Sequence, residues 1–139
     1  MVLVGAESGY LKEGEEPLQI RRNATRVARL SYKNLSQKEE RLLLILAALA
    51  EPTRLSALRL LWTEDEICLC HIAQNLHITQ SRASRHMDVL VRADIVSDRR
   101  KGPYVLYRIN KKMPKRFMDP VRSVVEALPP LKLAPLLSK

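Results

Sequence analysis

Two residues of this 139-residue chain are thiols, Cys68 and Cys70. Thiolates are soft ligands that select thiophilic ions over Mg or Ca. A lone C-x-C is a weak signal, because a buried free cysteine often behaves as a small hydrophobe. The spacing adds to it. If both residues lie in one regular helix, a 3.6-residue period sets their side chains about 200° apart, so at least one of them should be exposed. Both are expected near a helix N-terminus, where the dipole favours thiolate over thiol. The N-terminus has no basic flank followed by a long apolar stretch, so a cytoplasmic setting is expected. There the pair should stay reduced, and a metal, metalloid or redox site is the expected chemistry rather than a disulfide framework.

A second group follows at once: Thr79-Gln80-Ser81-Arg82-Ala83-Ser84-Arg85-His86. Gln80 has the donor and acceptor to pair both edges of adenine, and Arg82 and Arg85 can pair guanine bidentately. The hydroxyls of Thr79, Ser81 and Ser84 suit phosphates near a helix start. His86 is expected to be structural or a phosphate donor. Arg99, Arg100 and Lys101 form a second cationic cluster that could reach a minor groove or backbone, and Lys111, Lys112 and Lys115 could add phosphate contacts. Residues 79–115 hold ten Lys or Arg against three Asp, a net +7 of the chain's +9. Scattered surface Lys would be a solvated face; charge gathered in one third of the chain points to a polyanion. Any one of these features alone is commonplace.

The elements that must position both groups can be read from the pattern. Ser36-Gln37-Lys38-Glu39 is a capping box opening an apolar helix, Leu42 to Leu49. Glu51-Pro52 starts a second helix, with Leu55, Leu58, Leu61 and Trp62 on one face. Thr63-Glu64-Asp65-Glu66 reads as another capping box. It opens a third helix that carries both cysteines and stops near residues 75–77. Thr79 caps a fourth helix, from Gln80 to about Ala93. Two helices three or four residues apart make a helix-turn-helix. Ile95-Val96-Ser97 and Val105 to Ile109 read as strands joined by a cationic tip, Asp98 to Pro103, forming a hairpin. Pro114 and Pro120 each offer a start for a last helix, with Val121, Val124, Val125 and Leu128 as its stripe, and Pro129-Pro130 ends it. The expected organisation is an N-terminal extension over 1–35, partly disordered, a winged helix-turn-helix domain over 36–128, and a tail over 129–139 that is loosely ordered or laid on a dimer surface. The fold class is α+β, mainly α. No apolar run approaches the roughly 18 residues of a membrane span.

Several segments together resemble the ArsR/SmtB family of metal-sensing repressors. Leu49-Ala50-Glu51-Pro52-Thr53-Arg54-Leu55 is similar to the family's opening, and Glu66-Ile67-Cys68-Leu69-Cys70 to its ELCVC element. Gln80 to Met87 is similar to its recognition helix, and Arg99 to Ile109 to its wing. The resemblance covers about residues 46–115 and implies a homodimer built on the first and last helices. It implies binding to an inverted-repeat operator in double-stranded DNA and control of a resistance operon. It also implies Cys68 and Cys70 as ligands for arsenite or antimonite acting as inducer, with no obligatory cofactor. The commonest family pattern has a third cysteine where this chain has Ala73. Methylarsenite needs only two thiolates, because carbon fills its third bond. The last helix, with Asp119 and Glu126 but no His, does not carry the family's zinc site.

The alternatives are a thiol redox switch or a cadmium- or zinc-responsive repressor on the same fold. An enzyme is not expected, since no nucleophile–base pair, phosphate loop or carboxylate pair is present. An RNA-binding module would need exposed stacking aromatics, for which only Tyr104 and Tyr107 stand in place. The expected switch is mechanical: two sulfurs a half-turn apart can share one atom only if the first turn of their helix distorts and misaims the next helix.

Overall fold

The computed structural model describes residues 35–135. The expected N-terminal extension, apart from Leu35, and the last four residues of the expected tail lie outside them. The described residues from Arg41 onward belong to one compact unit, and the fold below is that unit's, apart from the first turn of its first helix.

Helix α1 (Gln37–Leu49) starts as its capping box predicts. Glu39 N–H donates to Ser36 Oγ at 3.3 Å, and the Glu39 carboxylate accepts from Ser36 N at 2.8 Å, which satisfies donors a helix start leaves open. The Ser36 N–H, and then the Ser36 hydroxyl donating to the same carboxylate at 2.7 Å, hold the Glu39 carboxyl below its ordinary range. Helix α2 (Pro52–Thr63) places Pro52 in its first turn, and Glu51 caps it by accepting from Arg54 N–H at 2.9 Å.

The second expected capping box does not form. α2 runs on to Thr63, whose hydroxyl donates back to Leu60 O at 3.0 Å. Residues 64–66 follow without helix, and Ile67–Cys68 is a short strand, β1. Helix α3 (Leu69–Asn75) begins only after it, with Cys68 as its N-cap. A hydroxyl can bond locally backward as well as forward, and the strand pairing of Ile67 settles which.

The turn from α3 into helix α4 (Gln80–Arg92) contains no glycine. His77 takes φ 56°, the left-handed conformation that closes a helix C-terminus, with His77 N–H donating to Gln74 O and Ile78 N–H to Ala73 O. α4 ends the same way: Asp94 has φ 61°, and Asp94 and Ile95 donate to Val91 and Leu90 carbonyls. Thr79 caps α4 as expected, accepting from Arg82 N–H at 3.2 Å.

The hairpin is longer than the sequence suggested. β2 (Val96–Lys101) and β3 (Tyr104–Ile109) pair antiparallel from Val96 opposite Ile109 to Lys101 opposite Tyr104. The turn is therefore Gly102-Pro103 alone, with Gly102 at φ 60°, and residues 98–101 belong to the strand. β1 pairs with the other edge of β3, Cys68 opposite Leu106, giving a three-stranded sheet in the order β1-β3-β2.

Helix α5 (Lys115–Glu126) starts after Pro114, and Pro120 sits inside it. Of the expected stripe, Val121 and Val125 are buried while Val124 is exposed. Ile45, Leu58, Leu61, Ile72, Met87, Leu90, Ile95, Val96 and Val121 are fully buried, so all five helices and the sheet share one aliphatic core. Each such side chain contributes about 1.5–3 kcal/mol of burial. The tail is laid on this chain's own helices. Arg59 donates to Pro129 O, the Thr63 hydroxyl lies 3.2 Å from Leu131 O, and Asn75 and Ala134 bond each other through Oδ1 and N–H at 2.8 Å. Among the described residues no helix is long and apolar enough to cross a membrane.

Candidate functional site

Cys68 stands at the end of β1 with φ −76° and ψ 153°, extended, while Cys70 lies in the first turn of α3. The half-turn separation expected of two helical residues therefore does not apply. The backbone bends between them, their Cα atoms lie 5.5 Å apart, and the two sulfurs are bonded to each other. This corrects the expectation that convergence requires the helix to unwind: the capping turn itself brings the sulfurs together. Cys68 Sγ also accepts the His71 backbone N–H at 3.3 Å.

Ligand chemistry at the pair is limited by its surroundings. Among the described residues no group of three His, Cys, Asp or Glu could hold a metal ion. His71 turns its Nε2 to Ala134 O of the tail, and Asn75 Nδ2 donates to His71 O at 2.9 Å. Two thiolates fit a centre that needs two protein bonds and takes its third from elsewhere. They do not make a four-ligand zinc site.

The residues of the α4 start are gathered on one surface. Thr79, Gln80, Ser81, Arg82 and Arg85 are exposed, and Ser84 is half-buried against the fold. Thr79 spends its hydroxyl on the cap and lies 3.4 Å from Ser81 Oγ. Arg100 and Lys101 are exposed on β2. Two expected contacts are turned elsewhere. Arg99 is held by Glu66 through two 2.7 Å bonds, and His86 directs Nδ1 inward, 3.5 Å from Glu51 and 3.4 Å from Arg54. Lys111, Lys112 and Lys115 are exposed where β3 turns into α5. Of the two tyrosines, Tyr107 is buried, and burial first, then Asp88 and Asp98, pushes its hydroxyl up to about 12; Tyr104 is 55% exposed.

Sequence reasoning missed Glu66 as the partner of Arg99, and Glu51 with Arg54 as the partners of His86. Glu66 was assigned to a capping box, and nothing local in the sequence pairs residues 33 positions apart.

A short helix, a tight turn, a polar cationic second helix and a basic hairpin define a winged helix-turn-helix of the DNA-binding regulators. Comparison with known proteins narrows this. The profile of the bacterial regulatory proteins of the arsR family matches residues 51–98. The arsenic resistance transcriptional regulator ArsR1 of Pseudomonas putida is 34% identical over 84 residues, 60% of this chain and 66% of that one. The arsenical resistance operon repressor of Staphylococcus xylosus is 35% identical over 81 residues, 58% of this chain and 70% of that one. Among solved structures, the homodimeric winged helix-turn-helix DNA-binding domain Mb0332 of Mycobacterium bovis, a possible ArsR-family regulator, superposes with a TM-score of 0.54. It is 26% identical, over 67% of this chain and 89% of that one. The chain belongs to the arsR family of bacterial regulatory proteins. Members of this family are transcriptional regulators rather than enzymes.

Proposed function

We propose that the chain is a homodimeric, operator-binding repressor that lets go of DNA when Cys68 and Cys70 capture trivalent arsenic or antimony. The observation that carries this is the convergence of the two sulfurs at the N-cap of α3, the helix packed on α4. Arsenic resistance regulators among the relatives support the choice of metalloid. With Ala73 where a third cysteine would stand, methylarsenite should act at least as well as arsenite.

DNA is read by the α4 start, Thr79 to Arg85, with Arg100 and Lys101 of the hairpin on the adjacent backbone. Dimerisation uses α1 and α5. Leu43 and Leu46 on α1 are 49% and 46% exposed, and Val124 on α5 is exposed too. Large apolar side chains left open on a small domain mark an interaction face.

A ligand shifts the DNA equilibrium only by its difference in affinity for the two states. Here the difference does not come from unwinding a helix. Capture displaces the Cys68 sulfur from the His71 N–H and loads β1. β1 is wired to both reading elements: through α3 to α4, and through β3 and the Glu66–Arg99 pair to β2.

A second reading keeps the DNA function and changes the signal. The structure holds the two sulfurs bonded to each other; from the reduced pair, an oxidant such as a peroxide takes two electrons and two protons from the thiols and closes that disulfide. One panel separates the readings. A labelled duplex, selected by the wild-type chain from a randomised pool, is titrated with arsenite, antimonite, methylarsenite, cadmium, zinc and peroxide. Release by the trivalent metalloids, lost in Cys68→Ser and in Cys70→Ser, is expected. Release by peroxide alone favours the redox switch, and release by none of them defeats both.

A further inference from the structure

Three helices meet at one polar corner away from the cysteines. Arg54 of α2 reaches back over the C-terminus of α1, where Nε donates to Ala48 O at 2.7 Å and Nη2 to Ala47 O at 3.2 Å. A cation on the last carbonyls of a helix is favoured by their unsatisfied lone pairs and by the dipole. Glu51 caps α2 through the Arg54 N–H. Burial pushes its carboxyl up, but the backbone bonds from Arg54 and Thr53 and the charge of His86 outweigh that and leave it lowered. Into this corner α4 sends His86, with Nδ1 3.4 Å from Arg54 Nη1 and 3.5 Å from Glu51 Oε2.

Nδ1 can serve one partner at a time. Bare, it accepts from Arg54; protonated, it faces Glu51 as an ion pair at 3.5 Å. In either form the same edge of the ring is committed to the α1–α2 corner, and its side chain is only 21% exposed. We infer that His86 is a positioning residue rather than a DNA contact: through Arg54 and Glu51 it fixes the angle of the recognition helix α4 against α1. This rests on the operator-binding reading and chooses between the two roles expected of His86.

The consequence is specific. If α1 is the dimer helix, the angle between α1 and α4 sets how far apart two recognition helices stand. Reading two half-sites depends on that spacing, whereas holding phosphates of any sequence does not. Loosening the corner should therefore lower affinity for the selected duplex more than for a scrambled one. A histidine that touched phosphate would weaken both alike and lower the salt slope by about one.

Two isosteres test this. Asn places a polar atom where His has Nδ1, and Gln places one where His has Nε2. Affinities of wild type, His86→Asn and His86→Gln are measured by fluorescence anisotropy on the selected and scrambled duplexes across a salt series, with thermal melts to establish that each variant is folded. His86→Asn is expected to stay within about twofold of wild type, and His86→Gln to lose about tenfold on the selected duplex only, the worth of one hydrogen bond to a charged group. Arg54→Gln, which leaves every α4 side chain in place, should show the same selective loss. The inference is overturned if His86→Gln binds like wild type while His86→Asn fails, if the loss is equal on both duplexes with a shallower salt slope, or if neither variant changes affinity. A wild-type chain that selects no sequence from the pool defeats the repressor reading itself, and this inference with it.

Discussion

Glu66 grips Arg99 with both carboxylate oxygens, Oε2 to Nε and Oε1 to Nη2 at 2.7 Å each. The residue preceding β1 is thereby tied to the middle of β2, across β3. The Arg99 bonds are the main reason the Glu66 carboxyl lies below its ordinary 4.5; desolvation opposes them, and the charges of Arg99, Arg108 and Lys101 add to the lowering. A carboxyl whose folded value is depressed binds its proton less readily folded than unfolded. Its stabilisation is fully present above 4.5 and is lost as pH falls through the folded value. Glu66→Gln should therefore be less stable than wild type near neutrality and converge on it in acid. Urea melts of both proteins from neutral pH to about pH 3 check this; parallel stability curves would show the pair to be idle.

The thiol pair should be all or nothing towards arsenic. Closing the disulfide consumes both lone thiolates, so protein treated with a mild oxidant should retain no arsenite after desalting, and a dithiol reductant should restore binding. Bound arsenic per chain, measured by elemental mass spectrometry, reports both states. Arsenic retained by the oxidised protein would place the site away from Cys68 and Cys70.

The fold was legible where a signal is local. Ser36 with Glu39, Glu51 with Pro52, and Thr79 before Gln80 each mark a helix start within four residues, and each starts one. Helix ends were read only loosely, because His77 and Asp94 do a glycine's work in the left-handed conformation. β1 was invisible: two residues cannot show alternation, and Ile67–Cys68 is a strand only because β3 lies beside it. That one element undid both the second capping box and the half-turn separation of the cysteines. The candidate site was legible as residue types, a cysteine pair followed by the polar start of α4, but Cys68 stands on β1 rather than in the expected helix. It was not legible as partnerships, since Glu66–Arg99 and Arg54–His86 span 33 and 32 positions.

The cationic residues should not count equally towards DNA. Arg82 and Arg85 are exposed at the start of α4, and a side chain that reads a base there is worth about 1–3 kcal/mol of discrimination. Arg99 is already paired. Arg82→Ala and Arg85→Ala should therefore weaken the selected duplex by tenfold or more, about 1.4 kcal/mol, while Arg99→Ala should cost clearly less. Competition binding of the three variants against wild type decides it. Arg99→Ala falling as far as the other two would mean that the Glu66 pair opens on DNA.

The tail beyond α5 should act as a strap rather than as loose chain. Leu131 and Leu133 pack against the core, and Ala134 closes onto Asn75 in both directions, donating its N–H to Oδ1 at 2.8 Å and accepting from Nδ2 at 3.4 Å. Its carbonyl also meets the His71 ring, one residue from Cys70. Asn75→Ala removes the side chain that holds the strap and should cost about 1–2 kcal/mol, a net worth near 1 kcal/mol per bond. For a domain of this size each kcal/mol lowers the melting temperature by about 4–8 °C. Exposed Lys132 should then become a faster trypsin site, because cleavage needs the strap to leave α3. A chain truncated after Leu128 supplies the control. If Asn75 acts through the strap, Asn75→Ala should destabilise the truncated chain much less than the full one, since residues that share one interaction are not additive. An undiminished effect in the truncated chain would place the role of Asn75 wholly inside α3, in its bond to His71 O.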